Sequence, residues 1–244
     1  MNKKDLSIEE KSFIVSFYPF CKHLKVRKAW QYFIEASAIA IANSNEISEE
    51  TQDKRIERFF VCVRRLGDME QFTKLFLIMV KAIKKNPRQD FLGNIYAALQ
   101  LNNQSNDDYV PYQMIEKITN VDNLMAEIEE NRWTKSFIDE CGSGTDFIAQ
   151  ANLLLRNGYD YTDKVLFIGS DTNKILSLMC YIQLSLLDCA GYVVINKTKP
   201  THQSQTTLLT HTLNPIPING QEIWFTPYYR GNVWGYRRIV DDTE

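Results

Sequence analysis

Apolar residues recur every three or four positions through most of the first hundred residues, which is the spacing of helices with one buried face. The segment 26–42 shows this spacing most clearly. Ser7 and Glu10 form a capping-box pair before an earlier apolar segment, and Asp68 is placed to cap a later one. The pattern predicts four or five helices and then a further short helix, which leads to the polar loop 102–108.

After residue 132 the pattern changes to short, unbroken apolar runs that alternate with amphipathic segments. The order strand, helix, strand, helix, strand is typical of a parallel sheet in an α/β fold. The predicted strands lie at 134–140, 164–171 and 191–198, and the predicted helices at 146–158 and 173–189. We therefore divide the chain into a helical region at residues 1–105 and an α/β domain at 106–244.

The ends of two predicted strands carry residues suited to a ligand. Gly142 and Gly144 follow the first strand and open a helix, so backbone N–H groups there can approach a polar ligand closely. Asp171 ends the second strand, where a carboxylate commonly accepts the hydroxyls of a ribose. Each feature alone is explained by a tight turn or by a helix cap. Together they predict a nucleoside site at the carboxyl edge of the sheet.

Charge and cysteine content indicate which kinds of ligand and cellular location the sequence favours. The 244 residues carry 28 basic and 30 acidic side chains, and a net charge of −2 does not favour a general polyanion binder. The five cysteines include no CxxC pair and no histidine at zinc spacing, which predicts reduced thiols and no metal site. The sequence has neither a signal-peptide pattern nor an apolar run long enough to cross a membrane. These features predict a cytoplasmic protein without a membrane partner.

Aromatic residues alternate with arginines near the C-terminus, in the segment 224–238. This mixture suits contact with nucleic acid or with a protein, although a final strand with core rings and solvated arginines explains it equally well. We expect Trp224 and Phe225 in the core, and we expect three residues at the surface as contacts for nucleic acid or another partner: Tyr229, Arg230 and Arg237. A second basic run, 81–88, is either a solvated helix end or a phosphate contact.

Five stretches of the chain resemble, in order, the short phage-borne or mobile-element relatives of the DNA methylation subunits of type I restriction-modification systems. The stretches are QDFLGNIYAAL, DDYVPYQMIEKI, IDECGSGTDFIAQA, VLFIGSDTNKILSLMCYIQLSLL and IWFTPYYRGNVWGYRR, and the resemblance extends roughly from Asn86 to Arg238. It implies a Rossmann-like S-adenosylmethionine-dependent methyltransferase fold preceded by an N-terminal helical bundle. It also implies binding of S-adenosylmethionine and methylation of the exocyclic amine of adenine in DNA.

The resemblance assigns roles to particular residues. The cofactor turn of these proteins corresponds to Cys141, Gly142, Ser143 and Gly144, and their ribose-binding acid corresponds to Asp171. Their phenylalanine-threonine-proline cofactor motif corresponds to Tyr109, Val110 and Pro111.

The chain departs from the family pattern at two cofactor positions. The acid three positions before the cysteine of the turn is replaced by Ile138, with acids at Asp139 and Glu140 instead. A shift of one residue along a strand turns a side chain to the other face of the sheet. Val110 replaces a threonine and removes a hydroxyl, which costs about 0.5–1.5 kcal/mol if the cofactor uses it.

The catalytic motif departs further. Adenine methylation needs an Asn or Asp acceptor and an aromatic ring that stacks on the flipped base. The candidate is Asn214, which stands in the sequence Asn-Pro-Ile-Pro, so that Pro217 occupies the place of the ring. A loop interrupted by prolines explains this sequence better than a catalytic motif does.

Two classes of function follow. In the first, the chain is a degenerate methyltransferase-fold protein of a phage or mobile element, with a weakened cofactor pocket, that acts by binding DNA or a host defence or restriction-modification protein. In the second, it is an active S-adenosylmethionine-dependent DNA adenine methyltransferase, which recognises its target either alone or with a partner subunit. The departures at the cofactor and catalytic motifs favour the first.

Overall fold

The computed structural model describes residues 6–42, 49–101, 110–197, 213–217 and 220–241. The helices within these ranges are α1 (Ile8–Phe17), α2 (Val26–Ala42), α3 (Glu49–Leu66), α4 (Met69–Lys85), α5 (Phe91–Ala98), α6 (Tyr112–Ile118), α7 (Asp122–Asn131), α8 (Thr145–Arg156), α9 (Tyr161–Lys164), α10 (Lys174–Leu186) and α11 (Asn232–Asp241). The strands are β1 (Thr134–Asp139), β2 (Val165–Asp171), β3 (Gly191–Ile195) and β4 (Glu222–Phe225). Two short 3₁₀ segments lie at Tyr18–Lys22 and Tyr228–Arg230.

The four strands form one mixed sheet in the order β1-β2-β3-β4. The first three strands are parallel, as the sequence pattern predicts, and β4 runs antiparallel to β3. The strands follow one another in sequence order, and right-handed crossovers in that order place α8 and α10 on one face of the sheet. The protein therefore has an α/β fold that is compatible with a Rossmann-like arrangement.

Each face of the sheet carries its own buried cluster, because successive residues of a strand point to opposite sides. Val165, Phe167 and Val193 belong to a large cluster that also contains the apolar faces of α2, α8 and α10. Leu166 and Ile168 point the other way, into a smaller cluster with Tyr229 and Trp234. The second face is thus covered by the segment that follows β4.

The helix-start signals of the sequence act as predicted. The Ser7 hydroxyl accepts a hydrogen bond from the Glu10 amide, and the Glu10 carboxylate accepts one from the Ser7 amide. Asp68 caps α4 through the Gln71 amide, at 2.8 Å. The described part of the first hundred residues contains the four α-helices α1 to α4 and then the short helix α5, which agrees with the lower of the two predicted numbers and with the further short helix.

The helical region and the α/β part share one core. The large buried cluster includes Phe13 and Trp30 from the first and Phe147 and Val193 from the second. The boundary predicted from the loop 102–108 lies outside the described residues, and so the division at residue 105 stays a prediction. Because α2 packs directly against α10, the helical region reaches the sheet and the site at its edge.

Candidate functional site

The turn between β1 and α8 has the backbone geometry that glycine permits. Gly142 and Gly144 have φ values of +56° and +94°, in the left-handed region that other residues rarely adopt. A Cβ on Gly144 would stand 3.0 Å from Cys180 Sγ, so this position also requires a small residue for packing. A Cβ on Gly142 would meet no atom within 4 Å. The backbone at Gly142 is therefore open to approach by another molecule.

Asp171 lies beside this turn, as the parallel topology predicts. Its Oδ2 accepts a hydrogen bond from the Gly142 amide at 3.0 Å, and its Oδ1 accepts one from the Asn173 amide at 2.7 Å. Burial raises the pKa of the Asp171 carboxyl, while the hydrogen bonds from these amides oppose that rise. The Thr172 amide is a third donor to this carboxylate, and two carboxylate oxygens offer about four acceptor sites, so the group retains capacity for one hydroxyl donor.

A second carboxylate, that of Asp90, accepts hydrogen bonds from the turn, and the sequence pattern does not identify it as a site residue. Asp90 is completely buried and caps α5 through the Gly93 amide at 2.7 Å. Its Oδ2 accepts hydrogen bonds from the Ser143 hydroxyl at 2.5 Å and from the Thr145 hydroxyl at 2.6 Å. The turn is thus tied to the helical region by the side chains of Ser143 and Thr145.

Gln183 of α10 completes the attachment. Its Nε2 donates to Asp90 Oδ1 and to the Ser143 carbonyl, both at 2.8 Å, and its Oε1 accepts from the Leu92 amide at 3.2 Å. Gln183 is the only amide side chain in the largely apolar sequence of α10, and this is a signal that could have identified the network, since a buried amide requires partners.

A further acid of the helical region holds the start of α10, immediately after Asp171. Glu35 of α2 contacts Arg58 at 2.5 Å and Lys174 at 3.3 Å. Burial alone would raise the pKa of Glu35, but Arg58 and Lys174 outweigh it and lower the pKa. Lys174 also lies 3.5 Å from Glu222 at the start of β4. The carboxyl edge of the sheet is therefore fixed at two points by acids from the helices.

The other residues that the sequence resemblance links to the cofactor have no described hydrogen bond to Asp171. Tyr109 lies outside the described residues. Val110 is 39% exposed, and Pro111 precedes α6, which packs against α8. Ile138 packs against the large core cluster, while Asp139 and Glu140 are exposed. Cys141 is buried, and its amide donates to the Ser170 carbonyl at 3.0 Å, which joins the turn to the end of β2.

Asn214 lies against α11. Its side-chain amide donates to the Arg238 carbonyl at 3.1 Å, and the neighbouring Leu213 belongs to the small cluster on the second face of the sheet. The described contacts thus connect Asn214 to the segment that covers this face and do not bring it to the glycine turn.

The surface location expected for Tyr229 is wrong. Its side chain is only 2% exposed, stacks on Phe225 with ring centroids 4.9 Å apart, and donates its hydroxyl hydrogen to the Leu213 carbonyl. Aromatic residues between a strand and a helix need not face solvent when that segment folds over a sheet. The core location expected for Trp224 is confirmed, and Phe225 is partly buried against the small cluster.

The two arginines expected to contact a partner are half-buried and engaged within the fold. Arg237 donates to the Asp163 carbonyl at 2.5 Å, and its guanidinium lies 4.5 Å from the centre of the Trp234 ring. The Arg230 guanidinium lies 5.5 Å from the centre of the Phe225 ring. Much of the alternation of aromatic residues and arginines in 224–238 is therefore explained by packing of this segment within the fold.

The described residues contain no cluster of His, Cys, Asp and Glu side chains that could hold a metal ion. Likewise, none of the described helices is long and apolar enough to span a bilayer.

The protein is an α/β protein with a glycine turn at the carboxyl edge of a mostly parallel sheet. Comparison with protein-family models, with curated proteins and with solved structures finds no match to this chain.

Proposed function

We propose that the protein is a methyltransferase-like protein that keeps a weakened pocket for an adenosyl ligand such as S-adenosylmethionine and acts by binding a partner rather than by methyl transfer. The observation that carries the proposal is the contact between the Gly142 amide and the Asp171 carboxylate. It joins an open backbone turn to an acid at the carboxyl edge, which is where a nucleoside binds in parallel α/β sheets.

Two features support binding over catalysis. Asn214, the candidate acceptor for the adenine amine, is bonded to the backbone of α11. At the position where the proteins that the chain resembles place an acid, the partly buried Ile138 packs against the core cluster. A pocket without that acid holds the amino-acid end of the cofactor less firmly.

For the partner, the contacts favour a host defence or restriction-modification protein over DNA. In the basic run 81–88, two of the four basic side chains have acidic partners at the surface: Lys85 pairs with Glu9, and Arg88 lies 3.4 Å from Glu116. Arg237 is used inside the fold. Basic groups engaged in this way have less capacity to release the counterions of a phosphate backbone. The resemblance to proteins of mobile elements agrees with a partner from a host defence system.

Calorimetric titration tests the pocket. We expect S-adenosylmethionine to bind with a dissociation constant weaker than about 1 μM, corresponding to a binding free energy smaller in magnitude than about 8 kcal/mol. Asp171→Ala should abolish this binding, because it removes both the ribose acceptor and the acceptor of the Gly142 amide. Asp160→Ala is the matched control, since Asp160 also accepts from an amide two residues later, that of Thr162, but lies at the start of α9. Equal affinity in the wild type and Asp171→Ala would refute the pocket.

A labelled-methyl assay tests catalysis. We expect no transfer of methyl groups from S-adenosylmethionine to adenine-containing DNA, and no change in Asn214→Ala, because the Asn214 amide serves the packing of α11. If Asn214 stabilised the developing charge of the transition state, its removal would instead raise the activation free energy of methyl transfer by about 2.7–4 kcal/mol. Methylation by the wild type that disappears in Asn214→Ala would establish the active enzyme in place of the binding protein.

A further inference from the structure

Asp90 is a buried carboxyl group whose described partners are all neutral hydrogen-bond donors. No lysine, arginine or histidine of the described residues is within ion-pair distance of it, and its exposed fraction is 0%. Four donors from three parts of the chain surround it: the Gly93 amide, the Ser143 and Thr145 hydroxyls and the Gln183 side-chain amide. A buried charge without a counterion depends on every such donor.

This dependence connects the turn to α5. Ser143 and Thr145 flank Gly144, and both hydroxyls end on the same carboxylate oxygen. If the turn moved, the two hydroxyls would leave Asp90, and its buried Oδ2 would lose both of its described donors. The position of Asp90 at the start of α5 therefore limits the conformations open to the turn.

Capping of α5 does not require these extra partners. Asp68 caps α4 through the same type of contact, with the amide three residues later, and its other described hydrogen bond is to the Gln71 side chain. Asp68 is exposed, whereas Asp90 reaches residues 53 and 55 positions away in sequence. The two aspartates share the cap and differ in the link to the turn.

We propose that Asp90 is the positioning residue of the glycine turn, through which the helical region sets the conformation of the turn. A second consequence rests on the proposed function: the affinity of the pocket for an adenosyl ligand depends on Asp90, although the oxygens of Asp90 are occupied by the turn and by Gln183.

Hydrogen exchange followed by mass spectrometry measures the positioning without any ligand. The amides of Cys141, Gly142 and Gly144 report on the turn, because they donate to the Ser170 carbonyl, Asp171 and the Cys141 carbonyl. In Asp90→Asn we expect these amides to exchange about ten-fold faster than in the wild type, the change expected for loss of one hydrogen bond to a charged group. The Phe167 amide of β2, which donates to the Ala190 carbonyl, provides the reference for global opening.

Three further variants separate positioning from general destabilisation. Asp68→Asn, the matched cap variant, should leave exchange in the turn unchanged. Thr145→Val removes one hydroxyl from the turn side and should accelerate exchange as Asp90→Asn does. Thr145→Ser keeps the hydroxyl and should preserve slow exchange. Asp90 has no positioning role if amide exchange in the turn is as slow in Asp90→Asn and Thr145→Val as it is in Asp68→Asn. The same conclusion follows if these variants accelerate exchange equally in the turn and at Phe167, because that pattern is global destabilisation.

Titration of Asp90→Asn with S-adenosylmethionine separates the two proposals. Faster exchange in the turn together with an affinity at least about ten-fold below that of the wild type supports both. Faster exchange in a protein whose wild type binds no S-adenosylmethionine supports the positioning role and refutes the pocket. Wild-type affinity in Asp90→Asn refutes the effect on the pocket even where exchange accelerates.

Discussion

Replacing Tyr229 by alanine is expected to lower the free energy of unfolding by about 3–5 kcal/mol, the cost of deleting a buried aromatic ring. The ring stacks on Phe225 and touches Tyr192, and the hydroxyl holds the Leu213 carbonyl. Its loss would leave a cavity in the cluster on the second face of the sheet and would remove the hydrogen bond to the Leu213 carbonyl. Denaturation in urea, followed by circular dichroism, measures the change.

Tyr236→Ala is the control for this prediction. Tyr236 lies on α11 with 71% of its surface exposed, and its replacement should change the stability by less than about 0.5 kcal/mol. Similar stabilities for the two variants would show that Tyr229 is not part of a packed core, and would return it to the candidates for partner contact.

Gly191→Ala is expected to destabilise the sheet by about 3 kcal/mol, the upper part of the usual range for overpacking. Gly191 lies opposite Phe167 in the register of β2 and β3. A Cβ at this position would lie 2.0 Å from the Phe167 carbonyl oxygen and 2.9 Å from its carbon. Main-chain atoms in a central strand cannot rotate away as a side chain can, so the strands must separate. Thermal denaturation provides the measurement.

Gly158→Ala separates this clash from the general effect of adding a side chain to glycine. Gly158 has a φ of +85° and no atom within 4 Å of an added Cβ. The free energy of unfolding of Gly158→Ala should therefore fall only by about 1–2 kcal/mol, the cost of placing alanine in the left-handed conformation. A loss in Gly191→Ala no greater than that in Gly158→Ala would contradict the close approach of β3 to β2.

The sequence predicts those site residues whose position follows from the pattern of neighbouring residues along the chain. Gly142 and Asp171 each stand at the end of an apolar run, and parallel pairing brings such ends to one edge without further information. Asp90 could not be assigned in this way, because its partners Ser143 and Gln183 are 53 and 93 residues away. Its sequence neighbourhood shows only a helix cap.

The error at Tyr229 has a different physical origin. The segment after β4 contains a 3₁₀ turn and a short helix, and its aromatic residues follow neither a strand period nor one helical period. Which rings are buried is decided by how the segment folds back over the sheet, and this depends on long-range contacts. Trp224 was predictable because it lies within a strand whose alternation points it into the core.

The order of elements has a consequence for synthesis of the protein on the ribosome. The strands β1 to β3 and the helices of one face all precede residue 196, whereas Tyr229 and Trp234, which cover Leu166 and Ile168 on the other face, are translated later. A nascent chain that has emerged only through β3 therefore presents a half-covered sheet, with the edge of β3 unpaired until β4 leaves the exit tunnel. During that interval the growing chain is exposed to intermolecular strand pairing, and a chaperone that binds apolar strands would find its site there.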